Sequence, residues 1–295
     1  TGTKLLAETF PTRVERGAGR VPVERLAYLA EFATMQLDGL KHLILVDSKS
    51  PVSFFAYPGK ASDLVPEGCT VHTLAGPAGD PLAALTALAE AVGAEAGSET
   101  IQPVSLPDLP TGDLSADAVC RTIGALLPEG AIVSDEGNTS GLFAAGHTAG
   151  SPAHDWMCLT GGAIGQGLPV ALGAAVAAPD RKVIALQADG AAMYTLQSWW
   201  TMARENLDVV TVIFNNSSYA VLNMELNRVG ATAGGPKAKE MLDIGSPNLD
   251  FVALARGMGV SATRATTAEE FNEQFAAAVA QRGPVVIEAV VPSIL

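Results

Sequence analysis

Two short polar runs carry the residue types from which a metal and phosphate site can be made. Ala188-Asp189-Gly190 ends one apolar run (Lys182 to Ala188), and Asn215-Asn216-Ser217-Ser218-Tyr219 follows a second (Asp208 to Phe214), with 24 residues between Gly190 and Asn215. A carboxylate, an amide oxygen and a loop carbonyl make a hard, oxygen-only donor set suited to Mg²⁺, which keeps its other positions for water and phosphate oxygens. With one protein charge the ion stays net positive, and that invites a diphosphate. Taken singly, Asp-Gly after a strand is an ordinary turn and Asn-Asn an ordinary cap or loop start. What gives the pair chemical meaning is the spacing, with both halves at strand ends.

The two apolar runs have the length and β-branched content of buried parallel strands. Between them, residues 191–206 predict a helix, with apolar side chains at Met193, Leu196, Trp199, Trp200 and Ala203. A strand-helix-strand unit points both strands the same way and opens their carboxyl ends on one edge of the sheet, which brings Asp189 and Asn216 side by side.

Two further loops belong to that edge. Residues 131–135 predict a strand ending in Glu136-Gly137-Asn138-Thr139-Ser140 and leading into a helix at 141–146. Small hydroxyl and amide side chains beside a helix N-terminus suit diphosphate oxygens, and equally suit plain helix capping. A short strand at 157–159 then runs into Thr160 to Pro169, where Gly161, Gly162, Gly165 and Gly167 allow a backbone to lie close to a ligand. Their spacing is not the G-x-G-x-x-G of a dinucleotide site. A helix rich in small residues is predicted over 168–178.

Asp-Gly, 24 residues and Asn-Asn at two strand ends resembles the motif of thiamine diphosphate (ThDP) enzymes, with Ala188 where the usual first residue is Gly. The resemblance covers most of residues 113–295, within the acetolactate synthase and benzoylformate decarboxylase branch. It implies the thiamin diphosphate-binding fold, an α/β parallel sheet flanked by helices, preceded by a partial Rossmann-like middle domain. It also implies ThDP and Mg²⁺ as cofactors, with Asp189, Asn216 and the Ser218 carbonyl as metal ligands. Gly190 and Ala191, with Asn138 and Thr139, would cradle the diphosphate, and Tyr219 would border the site. The Gly162 carbonyl would accept from the cofactor's 4′-amino group, and Ile164 would be the bulky wedge that bends it. The implied reaction is decarboxylation of a 2-oxo acid with carboligation, as in acetolactate synthase. The alternatives are a simple decarboxylase and a non-catalytic cofactor-binding subunit. The family's activating glutamate sits on a separate pyrimidine-binding domain, so no catalytic residue is assigned here. That domain is expected on another chain or a removed segment, and a homodimer or homotetramer is expected around the shared site.

Composition sets outer bounds. At 48% hydrophobic and 17% charged the chain can fill sizeable cores, and its net charge of −13 argues against nucleic acid. Three scattered cysteines show neither zinc spacing nor a disulfide framework and fit the cytoplasm, and no stretch reads as a membrane span. Thr1 opens the chain without an initiator Met, which predicts a fragment or a processed product. Residues 1–95 read as the partial middle domain, with a short strand at 5–10, a basic loop at 13–20, a helix at 23–37, a strand at 40–47 and a helix at 81–92. Asp47 to Ser50 follow a strand as in nucleotide-binding half-units, and FAD there is possible but unsupported. Residues 96–112, rich in Pro, Gly and Ser, read as a linker, and 113–295 as the diphosphate-binding domain. Tyr219, Leu222 and Met224 on a predicted helix are candidate cavity wall, and His147 and His154 could approach the pocket. Residues 231–249 read as a mobile flap.

Overall fold

The computed structural model describes residues 2–97, 100–231 and 235–293. The chain divides into two compact units, Thr1–Pro11 with Val23–Thr100 and Thr12–Pro22 with Ile101–Leu295.

The second unit is built on seven strands: β1 (Val14–Arg16), β2 (Ile132–Glu136), β3 (His154–Met157), β4 (Val183–Ala188), β5 (Val209–Asn215), β6 (Ser261–Ala265) and β7 (Val285–Val290). Across the sheet they run β6-β7-β5-β4-β2-β3-β1, all parallel except β1, which lies antiparallel to β3. Val183 to Leu186 and Val209 to Phe214 are buried throughout, as a parallel sheet covered on both faces requires. Each large aliphatic side chain buried there stabilises the fold by roughly 2 kcal/mol relative to exposure.

Helices Gly167–Ala177, Ser198–Arg204 and Phe251–Gly257 pack Leu168, Ala171, Trp199, Met202 and Phe251 into the same core. Ala116–Leu126 is capped by Ser115, whose hydroxyl accepts from the Ala118 amide at 3.1 Å. Ala268–Ala280 opens on a reciprocal capping box between Thr267 and Glu270. The first unit holds two pairs of parallel strands, His42–Val46 with Thr70–Ala75 and Leu6–Ala7 with Glu24–Arg25, with helices Ala30–Leu37 and Pro81–Ala91 and a small core of Ala30, Ala33, Leu37 and Leu64.

Several expectations are corrected by long-range pairing. The basic loop at 13–20 contains β1, because Val14, Glu15 and Arg16 pair with Trp156, Asp155 and His154. Residues 12–22 therefore belong to the second unit and not to the first. The linker assigned to 96–112 is, from Ile101 on, part of the second unit as well. Ser105 bridges Gly150, Pro110 O accepts from Asn272 at 2.9 Å, and Gly112 O accepts from Ala268 at 2.9 Å. The helix predicted from 23 starts at Ala30, because Glu24–Arg25 pairs as a strand with Leu6–Ala7. The helix predicted over 191–206 is broken into Asp189–Ala192 and Ser198–Arg204 by a turn. The strand expected at 157–159 lies earlier, at His154–Met157.

Candidate cofactor site

β4 and β5 are neighbours in register, with Ala188 opposite Phe214, so their ends release Asp189 and Asn216 at the same edge. Asp189 is 2% exposed. One of its carboxylate oxygens accepts from the Gly190 amide at 2.8 Å. The other accepts from the Asn216 and Ser217 amides at 2.9 and 2.7 Å. Burial pushes its pKa up, and these backbone N–H groups pull it partly back. Among the described residues no basic side chain forms an ion pair with it.

Asn216 connects two loops. Its Oδ1 accepts from the Ser218 amide at 3.0 Å, and its Nδ2 donates to the Ser140 hydroxyl at 3.3 Å. Ser217 turns in the left-handed region, φ 54°. The turn is held by Asn215, whose Oδ1 accepts from the Ser217 amide and hydroxyl, both at 3.2 Å. Asn215 Nδ2 donates to Glu288 on β7 at 2.7 Å, and Arg264 on β6 donates to the same buried carboxylate at 2.9 Å. Gly190 faces the ring of Tyr219: a Cβ there would stand 2.5 Å from Tyr219 Cε1.

The loop after β2 starts at Gly137, where a Cβ would stand 2.8 Å from the Cα of Gly141. It passes through Asn138 at φ 47° to Thr139 and the buried Ser140. In the third loop Gly161, Gly162 and Gly165 have φ 64°, 67° and 99°, a region that favours glycine, and the Ile164 side chain between them is 43% exposed.

The predicted site residues therefore sit on three loops, after β2, after β3 and at the ends of β4 and β5. Hydrogen bonds join Asp189, Asn216, Ser217 and Ser140 directly, and Tyr219 packs on Gly190. The two histidines do not join them. His147 is bonded to Asp117 at 2.7 Å, and His154 is buried at the start of β3, the strand end opposite the loops, with Nδ1 against Pro152 O at 2.7 Å. Within the segment read as a flap, residues 232–234 lie outside the described residues. The remainder contains helix Pro236–Leu242 and is tied to the site loop by Tyr219 N to Leu242 O at 3.0 Å and Ile244 N to Ser217 O at 3.1 Å. Glu136 and Glu288 are not among the predicted site residues, and Asn215 enters only as the first half of the Asn-Asn pair, with no function of its own. Their signal was a polar or acidic residue in or at the end of an otherwise apolar strand.

The donor set fits a hard cation complexed to diphosphate. Asp189 is a buried carboxylate with no cationic side-chain partner among the described residues, bonded to the backbone of the loop that carries the Asn216 amide oxygen. Among the described residues no cluster of three or more His, Cys, Asp or Glu could hold a metal in another way. No helix among them is long and apolar enough to cross a membrane.

A family model described as "Thiamine pyrophosphate enzyme, C-terminal TPP binding domain" matches residues 135–289. The Mycobacterium tuberculosis protein provisionally named acetolactate synthase large subunit IlvX is 58% identical, over 100% of this chain and 57% of its own length. Benzoylformate decarboxylase from Pseudomonas aeruginosa is 34% identical over 63% of this chain and 35% of its own. Among solved structures, a thiamine diphosphate-dependent 4-hydroxybenzoylformate decarboxylase from Rhodococcus jostii superposes with a TM-score of 0.74 at 25% identity, over 91% of this chain and 52% of that one. The chain thus spans between about a third and little more than half of the length of these relatives. The matched model covers all three loops and more than half of the residues, and the chain belongs to the thiamine pyrophosphate enzymes, of which it carries the C-terminal TPP-binding domain.

Proposed function

We propose that this chain supplies the diphosphate-binding half of a ThDP- and Mg²⁺-dependent enzyme that decarboxylates a 2-oxo acid and joins the product to a second carbonyl, as acetolactate synthases do. The observation that carries this reading is the buried Asp189, bonded to the backbone of the Asn216 loop and lacking a cationic side-chain partner among the described residues. In this reading Asp189, Asn216 and the Ser218 carbonyl hold Mg²⁺. Asn138, Thr139, Gly190 and Ala191 receive the diphosphate, and Tyr219 closes the wall over Gly190. The Gly162 carbonyl and the Ile164 side chain orient the other end of the cofactor.

When bound, the cofactor supplies the nucleophile and the electron sink that loss of CO₂ from a 2-oxo acid requires. The chain's own contribution is position and charge. Asp189 would hold the ion, itself kept in place by the Gly190, Asn216 and Ser217 amides, in a site whose partial burial would strengthen the interaction. The glutamate that activates the aminopyrimidine comes from a pyrimidine-binding domain, and the site is completed in an oligomer. The benzoylformate decarboxylase relatives favour a second reading, decarboxylation without carboligation.

The clamp is tested by thermal unfolding with ThDP and Mg²⁺. At a ligand concentration one hundred times the dissociation constant, the gain in stability is about 2.7 kcal/mol. Asp189→Ala removes that gain, and an equal shift in the variant refutes the assignment. Product analysis with pyruvate and with benzoylformate separates carboligation from simple decarboxylation.

A further inference from the structure

Glu136 ends β2 at the centre of the loop cluster and is 1% exposed. Its carboxylate takes two backbone N–H groups from the glycine loop: Oε1 accepts from Gly165 and Oε2 from Gly167, the latter at 2.6 Å. Gly167 is the first residue of helix Gly167–Ala177, so the carboxylate also faces the positive end of that helix. The same short segment is held at its carbonyls. Thr195 donates to Gly165 O and Ser134 to Gly167 O, each at 2.8 Å. Between them, Gln166 accepts from the Thr160 hydroxyl at 2.7 Å and donates to Cys158 O at 3.0 Å.

The glycine loop is therefore held mainly on the C-terminal side of Ile164, with Gln166 reaching back to Thr160 and Cys158 at the start of the loop. From Gly165 to Gly167 every residue is pinned by a side chain. On the other side, Gly161 and Gly162 turn in the left-handed region, held by the local backbone bonds Gly162 N to Leu159 O at 3.0 Å and Ala163 N to Thr160 O at 3.2 Å. A Cβ at Gly167 would collide with the Glu136 carboxylate and the Gln187 amide, so the loop can approach the acid only as glycine. A buried carboxylate is expensive unless its oxygens are bonded, and here two amides of one loop bond it. Bonded in this way, the Gly165 and Gly167 amides are not available to a phosphate group.

We infer that Glu136 is a positioning residue for the pyrimidine end of the cofactor: through Gly165 and Gly167 it fixes where Ile164 projects, without taking part in the metal-diphosphate clamp. The inference rests on the cofactor reading above and deepens it. Glu136 adds no ligand to the ion and touches the cofactor only through the loop.

The test compares two probes on the complete enzyme: ThDP with Mg²⁺, which needs both ends of the site, and inorganic diphosphate with Mg²⁺, which needs only the clamp. Glu136→Gln weakens ThDP binding by about tenfold or more while diphosphate binding stays within about twofold of wild type, and Ile164→Ala gives the same pattern. Hydrogen exchange at the Gly165 and Gly167 amides accelerates in Glu136→Gln. Unchanged ThDP affinity in the variant, or an equal loss for both probes, overturns the inference. If Glu136→Gln does not fold, amide exchange in the wild-type protein decides. Protected Gly165 and Gly167 amides support the anchor, and fast exchange at both overturns it. A wild-type enzyme that binds neither probe refutes the cofactor reading instead, and leaves the exchange measurement standing as a separate result.

Discussion

Asn215→Ala probes the support behind the Asn216 loop. Asn215 joins three elements: it donates to the buried Glu288 at 2.7 Å and accepts from the Ser217 amide and hydroxyl at 3.2 Å. Its removal deprives a buried carboxylate of one of its donors, worth about 2 kcal/mol for a bond to a charged group, and loses neutral bonds to Ser217 worth about 1 kcal/mol. The sum predicts a destabilisation of about 3 kcal/mol. Arg264 remains on Glu288, so the carboxylate is not fully orphaned and the figure does not rise further. In a Glu288→Gln background the buried charge is gone, and Asn215→Ala should cost about 1 kcal/mol, a coupling of about 2 kcal/mol between the two positions. Urea unfolding of wild type, both single variants and the double variant at pH 7 measures it. Additive effects within about 0.5 kcal/mol would refute the claim that the amide acts through the carboxylate. Since Ser217 also donates its amide to Asp189, the single variant should lower ThDP and Mg²⁺ affinity as well.

Gly190→Ala places a Cβ 2.5 Å from Tyr219 Cε1, and since the ring must move, the variant should lose about 1–3 kcal/mol and most of its cofactor-induced thermal shift. An unchanged shift on adding ThDP with Mg²⁺ would show that Tyr219 is not part of the wall. His154 provides a pH test: burial lowers its pKa to about 4, and its Nε2 has no hydrogen-bond partner among the described residues. The unfolded chain therefore binds this proton first as pH falls. The stability that His154 confers is intact above the ordinary imidazole value near 6.5 and is lost progressively toward pH 4, about 2 kcal/mol of it between pH 7 and pH 5. His154→Gln should flatten that part of the stability curve, and an unaltered slope would assign the loss to other groups.

Part of the cofactor site was legible because local chemistry and spacing carry it. Asp189 and Asn216 follow apolar runs of strand length, and two adjacent parallel strands joined by a helical crossover bring their carboxyl ends to one edge. The glycines of the third loop were also visible, although only the structure shows that three of them use left-handed backbone. Glu136 was unreadable as an anchor, because its partners Gly165 and Gly167 lie 29 and 31 residues away and an acid at a strand end reads as the start of a loop. The segment at 13–20 was misread for a similar reason. Its three strand residues form β1 only because β3 offers an open edge, and no local propensity records that edge.

By itself, then, the sequence determined the alternation of strands and helices and the loops that follow those strands, since these follow from apolar periodicity and residue type within short windows. Tertiary structure decided which donors each buried acid receives: Asp189 the backbone of the Asn216 loop, Glu136 the backbone of the glycine loop, Glu288 the side-chain amide of Asn215 and the Arg264 guanidinium. A carboxylate is stable inside a protein only when distant segments bring it donors, and those segments come together only when the sheet is assembled.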